Sequence, residues 1–427
     1  MKVFFDTIGC RLNQSEIERM AHEFRSASHE ITGNPAEADL IIINTCSVTA
    51  KAASDSRQKI RQASRLAPNA SIVATGCWVT LEPKEAEKLI ENIKIVLNGE
   101  KEGIPAGILG SNKTAGGPAS PGRVSLPGTR HRTRAFIKVQ DGCDAFCTFC
   151  VTRLARGKSR SEPVDRILAD IHSAIAGGVK EIVLSGVQLG SWGRHFSPAS
   201  SLRDLIKIIL KETDIPRIRL SSIEPWDIDP GFFGLFEDRR ICRHLHIAIQ
   251  SGCAETIKRM GRRTAPTEFS QILQTARLVD PLFSISTDVI TGFPGETQEE
   301  FAESLEFVRT ASFSSGHVFP YSSRNGTAAA DLPDQVLSKE RKYRAAKMRD
   351  ELAQTSQHFR QKLLGETGQV LWETVKLDTN GYRLEGFNEG FIRVSAISPV
   401  KLVNVISPVI ITGMTETGLL AKIIDKK

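Results

Sequence analysis

The sequence predicts an α/β protein in three parts, on the strength of three observations. Short apolar runs alternate with longer helical patterns over residues 1–106, as in a parallel α/β sheet domain. Six further apolar runs recur within 129–364, mostly at intervals of 30 to 45 residues, which indicates a partial (βα)6 barrel. Residues 365–427 alternate as short strands broken by Gly and Pro, as in a small β-barrel.

In the N-terminal part the strand candidates are residues 3–5, 40–43 and 71–74, and 51–66 has a helical pattern. Residues 107–128 are rich in Gly, Pro and Ser with almost no periodicity, which is typical of a linker. We therefore expect the first domain to end before this segment and the central domain to begin after it.

In the central part, helical patterns such as 164–176 and 202–212 separate the apolar runs, and a long charged helix is predicted over 339–364. Parallel strands joined in this way build their sites at the carboxyl ends of the strands. The strand candidates are 136–139, 181–184, 217–220, 245–249, 284–290 and 317–319 in the centre, and 369–372, 390–394 and 409–412 in the tail. Small barrels like the predicted tail often bind oligonucleotides.

Composition is that of an ordinary globular protein, with 40% hydrophobic and 25% charged residues. The longest nearly uncharged apolar stretch, 402–414, is too short to cross a membrane and contains Asn404 and Pro408. The first residues lack the apolar core of a signal peptide, so we expect a cytoplasmic protein whose thiols stay reduced. Eight widely spread cysteines then favour metal or cluster ligation over a disulfide scaffold.

The formal net charge of +7 is unevenly placed. Residues 123–162 hold nine Lys and Arg against three Asp and Glu, and residues 339–362 hold eight against three. Such a basic belt favours a polyanionic partner, although a solvated charged face explains the charge count equally well.

The most specific motif is Cys143, Cys147 and Cys150, a C-x3-C-x2-C cluster just after the first strand of the central part. Iron–sulfur clusters are normally held by four thiolates, so three on one loop leave one iron free. A free iron can chelate the amino and carboxylate groups of S-adenosylmethionine, whose reductive cleavage yields a 5′-deoxyadenosyl radical. The alternatives are chance clustering of thiols and a zinc knuckle, although the paired C-x2-C spacing of the knuckle is missing.

Cys10, Cys46 and Cys77 form a second set, because each comes just after an apolar strand of the N-terminal part. The carboxyl ends of parallel strands line one crevice, so three distant thiols can converge there on a second 4Fe–4S cluster. Taken singly, each is more often an ordinary buried cysteine. Cys242 and Cys253 fit neither set, and we expect both to be unliganded.

These motifs resemble those of the methylthiotransferase family of radical S-adenosylmethionine enzymes, over nearly the whole chain. Segment Thr7–Glu16 resembles the family's opening motif, Asn44–Thr49 and Thr75–Cys77 resemble the stretches that supply its second and third ligands, and the tail resembles its TRAM domain. The branch that modifies N6-threonylcarbamoyladenosine beside the anticodon of tRNA is the most similar. That similarity lies in Gly9–Gln14, Ser56–Gln58, Ile60–Arg61 and His317–Ser322.

The resemblance implies that a methylthio group is attached to C2 of this adenosine, with two 4Fe–4S clusters and with S-adenosylmethionine as methyl donor and radical source. It also implies tRNA, a sulfur source and an electron donor such as flavodoxin or ferredoxin as partners. Adenine C2–H is neither acidic nor electrophilic, so a radical step suits it. Two alternatives keep the chemistry and change the substrate, to isopentenyladenosine in tRNA or to an aspartate of a ribosomal protein. A third is a non-enzymatic RNA-binding or electron-transfer iron–sulfur protein.

Weaker candidates follow the central strands, and no catalytic residue is assigned. A turn or capping role is the alternative for each candidate cofactor contact. The candidate S-adenosylmethionine contacts are Ser185, Gly186, Glu224, Gln250, Ser251 and Gly292. The candidate RNA contacts are Arg130, Arg132, Arg134, Arg153 and Arg156, of which Arg153 occupies a place where the family usually has proline.

Overall fold

The computed structural model describes residues 1–110 and 133–424. The N-terminal strands are β1 (Lys2–Thr7), β2 (Glu30–Ile31), β3 (Leu40–Thr45), β4 (Ser71–Gly76) and β5 (Ile93–Ile95). The helices are α1 (Arg11–Ser26), α2 (Ala50–Leu66), α3 (Cys77–Leu81), α4 (Pro83–Glu87) and α5 (Ile104–Leu109). All five strands are parallel, in the order β2-β1-β3-β4-β5. Every residue of β3 is buried, because helices pack against both faces of the sheet.

The central strands are β6 (Arg134–Lys138), β7 (Gln140–Asp141), β8 (Arg160–Ser161), β9 (Glu181–Ser185), β10 (Arg217–Leu220), β11 (Ser222–Ile223), β12 (His244–Ile247), β13 (Ser284–Thr291) and β14 (Ser315–Pro320). The helices are α6 (Thr152–Arg156), α7 (Val164–Ala176), α8 (Leu202–Glu212), α9 (Ala254–Arg259), α10 (Pro266–Val279), α11 (Gln298–Ala311) and α12 (Ser338–Gln361). There are two parallel sheets, β10-β9-β6 and β11-β12-β13-β14, and Ser221 connects β10 of the first to β11 of the second. Together they form the predicted partial barrel. Their outward faces and the surrounding helices share one large apolar core.

The tail strands are β15 (Thr367–Asp378), β16 (Gly381–Asn388), β17 (Arg393–Ser398), β18 (Ile406–Met414) and β19 (Leu419–Ile423). They close into a barrel in the order β15-β16-β17-β19-β18, which confirms the small β-barrel. Its interior is filled by apolar side chains from all five strands, with Trp372 fully buried among them. The predicted strand at 390–394 instead starts at Arg393, because Phe391 has a positive φ of 61° and lies in the preceding turn.

The three parts are joined by direct contacts. Helix α1 lies along the edge strand β6, where the Lys138 amide donates to Ser15 Oγ at 3.1 Å. The turn between β16 and β17 sits against the amino ends of the central strands, where Ser284 Oγ donates to the Gly390 carbonyl at 2.7 Å. Arg219 donates to the carbonyls of Asn388 and Glu389 in the same turn. The turn therefore occupies the base of the central barrel, opposite the carboxyl ends of its strands.

Further short 3₁₀ helices lie at Pro35–Glu37, Lys101–Gly103, Leu189–Ser191, Pro225–Asp227, Pro230–Glu237 and Ala328–Ala330. The predicted linker at 107–128 overlaps the end of α5 and otherwise lies mostly outside the described residues. Among the described helices, none combines the length and the apolar character that a membrane crossing requires.

Candidate radical and cluster site

The cysteine loop of the central barrel leaves β7 through Gly142, whose φ is 70°. A Cβ at this glycine would overlap the Lys158 carbonyl, so the tight return of the loop requires glycine here. Thr148 holds the loop against two other segments of the chain. Its amide donates to the Met260 carbonyl at 2.9 Å, and its carbonyl accepts from the Ala329 amide at 2.8 Å. The three cysteines are thus presented on a fixed and partly exposed loop.

Donors surround the sulfurs of this loop. The Ala145 amide points at Cys143 Sγ at 3.3 Å, and the Thr152 amide points at Cys150 Sγ at 3.4 Å. Arg262 Nη1 lies 3.9 Å from Cys147 Sγ. N–H groups and a cation directed at sulfur favour the thiolate, which is the form that binds iron.

The thiols of Cys143 and Cys147 stay protonated on their own. Burial raises the pKa of Cys143 to about 12, and the neighbouring Cys150 and Cys147 add to the rise. Burial also raises the pKa of Cys147 to about 11, against the opposing charge of Arg262. Three mutually repelling thiolates at one place need a bound cation in place of their protons, so the loop fits an iron–sulfur cluster.

The N-terminal cysteines come together at the carboxyl edge of the parallel sheet. Cys46 follows β3 and is buried, Cys77 opens α3 and is buried, and Cys10 precedes α1. A Cβ at Gly9 would overlap Cys46 Sγ, so that sulfur lies directly against the backbone that leads into Cys10. Burial raises the pKa of Cys46 to about 11, and the charges of Cys10 and Cys77 raise it further.

Two asparagines hold the loops of this second triad. Asn13 Nδ2 donates to the Ile8 carbonyl at 2.8 Å and to the Thr45 carbonyl at 3.0 Å, which ties the approach to Cys10 to the approach to Cys46. Asn98 Nδ2 donates to the Ala155 carbonyl at 2.7 Å and lies 3.7 Å from Cys77 Sγ. Because Ala155 follows the other cysteine loop, Asn98 also connects the two triads.

Across residues 1–110 and 133–424, no group of three or more His, Cys, Asp or Glu side chains is close enough to hold a single metal ion. A cluster requires a different spacing, since each thiolate binds its own iron rather than one shared ion.

A buried ion-pair network joins the two triads, and sequence reasoning missed it. Glu16 accepts from Arg156 Nη1 at 3.0 Å and pairs with Lys101 Nζ at 2.6 Å. Asp141 accepts from the same guanidinium at 2.8 Å and pairs with Lys138 Nζ at 2.9 Å. Burial alone would raise the pKa of Glu16, but Arg156, Lys101 and Lys138 hold it well below its usual value. Glu16 belongs to the N-terminal domain and Asp141 to the barrel, so the network fixes one domain against the other.

Between the triads lies a pocket of about 190 Å³ at the carboxyl ends of the central strands. One wall is Val48 and Thr49 from the loop after Cys46, and another is Phe149–Thr152 from the loop that contains Cys150. The remaining lining residues are Gln250, Asp288, Ile290, Phe319, Pro320, Tyr321, Ser322 and Arg324. The cavity thus touches both cysteine loops and is mostly apolar, with a few polar groups.

Asp288 is held at the wall of this pocket by a chain of hydrogen bonds. Its Oδ2 pairs with His246 Nε2 at 3.2 Å, His246 Nδ1 contacts Ser286 Oγ at 2.9 Å, and Ser286 Oγ contacts His244 Nε2 at 3.0 Å. Burial lowers the pKa of His244 well below its usual value, so its ring is neutral. The other oxygen of Asp288, Oδ1, is buried without a hydrogen-bond partner. It is therefore a fixed acceptor for a group that enters the pocket.

The predicted S-adenosylmethionine contacts fall into two groups. Glu224 lies beside the cysteine loop, because its partner Arg262, at 2.6 Å, also faces Cys147, and Gln250 lines the pocket. Ser185 Oγ instead donates to the Val183 carbonyl, and Ser251 Oγ accepts from the Cys253 amide. A Cβ at Gly186 would crowd Gln140, and one at Gly292 would crowd Arg341. Contact of these four residues with S-adenosylmethionine stays a prediction.

The predicted RNA contacts need correction. Arg134 is mostly buried, where it pairs with Glu181 and Glu373 and lies over the Phe387 ring, and Arg156 is buried in the ion-pair network, so both guanidinium groups are engaged within the protein. Arg153 is half-buried, with its guanidinium 3.8 Å from the ring centre of the exposed Phe146, and it remains a candidate. Arg130 and Arg132 lie outside the described residues.

The fold and the cysteine loop define a class of protein, and comparison with known proteins gives the family. Residues 137–308 match the radical SAM superfamily, and residues 2–98 match a family described as the uncharacterized protein family UPF0004. A radical S-adenosylmethionine methyltransferase, TsrM from Kitasatospora setae, has a similar fold, with a TM-score of 0.56 at 14% identity over 77% of each chain. Membership in this superfamily implies a 4Fe–4S cluster and S-adenosylmethionine.

Curated relatives cover most of the chain. The threonylcarbamoyladenosine tRNA methylthiotransferase MtaB of Thermotoga maritima is 36% identical over 389 residues, which is 89% of both chains. The protein of the same name from Bacillus subtilis is 36% identical over 82% of this chain and 81% of its own. The tRNA-2-methylthio-N(6)-dimethylallyladenosine synthase of Maricaulis maris is 29% identical over 451 residues. The chain belongs to the methylthiotransferase family of radical S-adenosylmethionine enzymes.

Proposed function

We propose that this enzyme attaches a methylthio group to C2 of N6-threonylcarbamoyladenosine beside the anticodon of tRNA. The observation that carries the proposal is the pocket with one wall from each cysteine loop. Its volume of about 190 Å³ and its apolar walls suit a planar base. The relatives with 33–36% identity that carry this activity in their names support the choice of nucleoside.

In this proposal Cys143, Cys147 and Cys150 hold one 4Fe–4S cluster, and Cys10, Cys46 and Cys77 hold a second. The chemistry that these groups supply when bound is the reductive cleavage of S-adenosylmethionine at the first triad and an iron site for sulfur at the second. A substrate atom placed between the two loops is within reach of both. The electron donor, such as flavodoxin or ferredoxin, and the sulfur source remain part of the proposal.

The chain's own residues bind and orient the base. Val48, Phe149 and Ile290 offer apolar contact to its faces and exclude water from the reacting carbon. The free oxygen of Asp288 accepts a hydrogen bond from a base N–H group, and the hydrogen bonds through His246 and Ser286 fix its direction. Oriented acceptors of this kind place C2 rather than another carbon between the two loops.

Mass spectrometry of tRNA nucleosides tests the proposal. Cells that lack the gene should lose 2-methylthio-N6-threonylcarbamoyladenosine and accumulate N6-threonylcarbamoyladenosine, and the wild-type gene should restore the product. A Cys147→Ala gene should not restore it. Loss of the methylthio derivative of isopentenyladenosine instead would assign the chain to the other tRNA branch, and an unchanged nucleoside profile would contradict a tRNA substrate.

A further inference from the structure

Arg324 is a half-buried cation that forms no ion pair within residues 1–110 and 133–424. It lies in the segment after β14, and its Nε and Nη2 atoms are buried and have no hydrogen-bond partner. Three more deeply buried arginines are paired: Arg156 with Glu16, Arg219 with Glu181, and Arg344 with Glu296. Buried N–H groups without an acceptor are costly, so a ligand that supplies acceptors and negative charge would gain free energy by binding there.

The surroundings of Arg324 place it in the pocket between the triads. It lines the cavity together with Asp288 and with Val48, which follows Cys46. Burial lowers the pKa of Arg324, and the nearby Cys46 is the group that opposes this effect. Asp288 forms no hydrogen bond with the guanidinium, since its Oδ2 pairs with His246 and its Oδ1 has no hydrogen-bond partner. A guanidinium keeps its proton near neutral pH, so the pocket holds a positive charge.

We propose that Arg324 binds an anionic group of the substrate nucleotide and so helps to select it. This inference rests on the proposed function, because it assumes that the nucleoside enters this pocket. The planar fork of a guanidinium matches a carboxylate or a phosphate with two parallel hydrogen bonds. Two sources supply such a group: the carboxylate of the threonylcarbamoyl substituent, and a phosphate that flanks the nucleotide.

Binding measurements with two RNA hairpins separate the sources. Anticodon stem-loops that carry either N6-threonylcarbamoyladenosine or unmodified adenosine are titrated against the wild-type holoenzyme, Arg324→Gln and Arg324→Lys. If the carboxylate is bound, Arg324→Gln weakens binding of the modified hairpin by roughly tenfold or more and leaves the unmodified one unchanged. If a phosphate is bound, both hairpins lose affinity equally and the salt dependence becomes shallower. Arg324→Lys keeps the charge without the fork and should fall between the two.

Control measurements separate anion binding by Arg324 from a structural role beside Cys46. Arg239→Gln removes an exposed arginine that precedes β12, at the opposite end of the barrel, and should change neither affinity. Iron content and 5′-deoxyadenosine formation should stay at wild-type levels in Arg324→Gln. Unchanged affinity for both hairpins overturns the inference, and so does loss of iron, which would mean that Arg324 serves the Cys46 thiolate. If the wild-type enzyme itself fails to methylthiolate the modified hairpin, the proposed function is at fault instead.

Discussion

At the scale of single residues, a glycine and a buried carboxylate shape the surroundings of the cysteines. Gly9 matters through its missing Cβ, which lets Cys46 Sγ lie against the Cys10 loop. Glu16 matters through its charge, because it forms ion pairs with three cations from three separate segments of the chain. Both residues lie within the segment Thr7–Glu16, Gly9 just before Cys10 and Glu16 six positions after it.

Replacing Gly9 with alanine should selectively prevent assembly of the cluster that we propose on Cys10, Cys46 and Cys77. The new Cβ would overlap Cys46 Sγ and would also strain a backbone with φ of 98°. We expect the reconstituted variant to hold about half the iron of the wild-type protein and still to form 5′-deoxyadenosine. Gly365→Ala is the matched control, since its φ is 83° but no atom lies within 4 Å of its Cβ position. Full iron content in Gly9→Ala would contradict this account.

Replacing Glu16 with glutamine should destabilise the fold strongly. The change leaves Lys101, Lys138 and Arg156 buried with one counter-charge fewer. Removing one partner of a buried ion pair costs about 3–5 kcal/mol, which urea unfolding can resolve. Glu306→Gln breaks an exposed pair with Arg309 and should cost about 1 kcal/mol or less. Equal losses for the two variants would show that the buried network is not a determinant of stability.

At the scale of secondary-structure elements, the sequence predicted the strands that form apolar runs. It missed very short strands and the contacts between residues that are far apart in the chain. The six apolar runs of the central part correspond to β6, β9, β10, β12, β13 and β14, because the strands of a parallel sheet contain short segments rich in apolar residues. The strands β2, β5, β7, β8 and β11 were missed, since two or three residues show no periodicity. In the tail, β16 and β19 were missed as well.

The predictions for Arg134 and Arg156 were wrong for a related reason. A charge count does not show the direction of a side chain, and on β6 Arg134 points inward to Glu181, which lies 47 positions along the chain. Asp288 and Arg324 carried no sequence signal beyond their positions, one inside a predicted strand and the other just after a family-like segment. That some of their polar atoms lack hydrogen-bond partners can be recognised only from the structure of the pocket that they line.

Helix α12 is the element on which we expect tRNA to bind outside the pocket. Lys342, Lys347 and Arg349 are exposed on it, and none forms an ion pair in the described part of the chain. Replacing all three with glutamine should weaken tRNA binding and lower the slope of log affinity against log salt by roughly two to three. The matched control replaces the exposed Lys94, Lys207 and Lys211, which lie on other elements. An equal effect of the two triple variants would indicate general attraction rather than a surface on α12.

At the scale of the whole molecule, three parts are assembled so that one pocket faces two cysteine loops. The ion-pair network and Asn98 hold the N-terminal sheet against the barrel, and both act next to a cysteine. Because these contacts do not involve the cysteine side chains of Cys46 and Cys147, single cysteine variants should test the role of each loop while the domains stay in contact.

Single cysteine variants should separate the two tasks. Cys46→Ala is expected to keep 5′-deoxyadenosine formation and to lose methylthiolated tRNA, whereas Cys147→Ala should lose both. The physical reason is that each triad has its own donors and only the loop of the barrel lies beside Glu224 and Arg262. Cys253→Ala removes a buried thiol that belongs to neither triad and should retain both activities. Loss of S-adenosylmethionine cleavage in Cys46→Ala would contradict this division.

The turn at Asn388–Phe391 has a consequence for how tRNA must approach. This turn lies at the base of the central barrel and α1 lies along its edge, whereas the pocket lies at the rim where the cysteine loops stand. A pocket of about 190 Å³ has room for a single base, so the target base must leave its stack before it reacts. That extrusion costs a few kcal/mol in a stacked helix and much less in an open loop. The architecture itself therefore favours a nucleotide at the edge of an anticodon over one inside a stem.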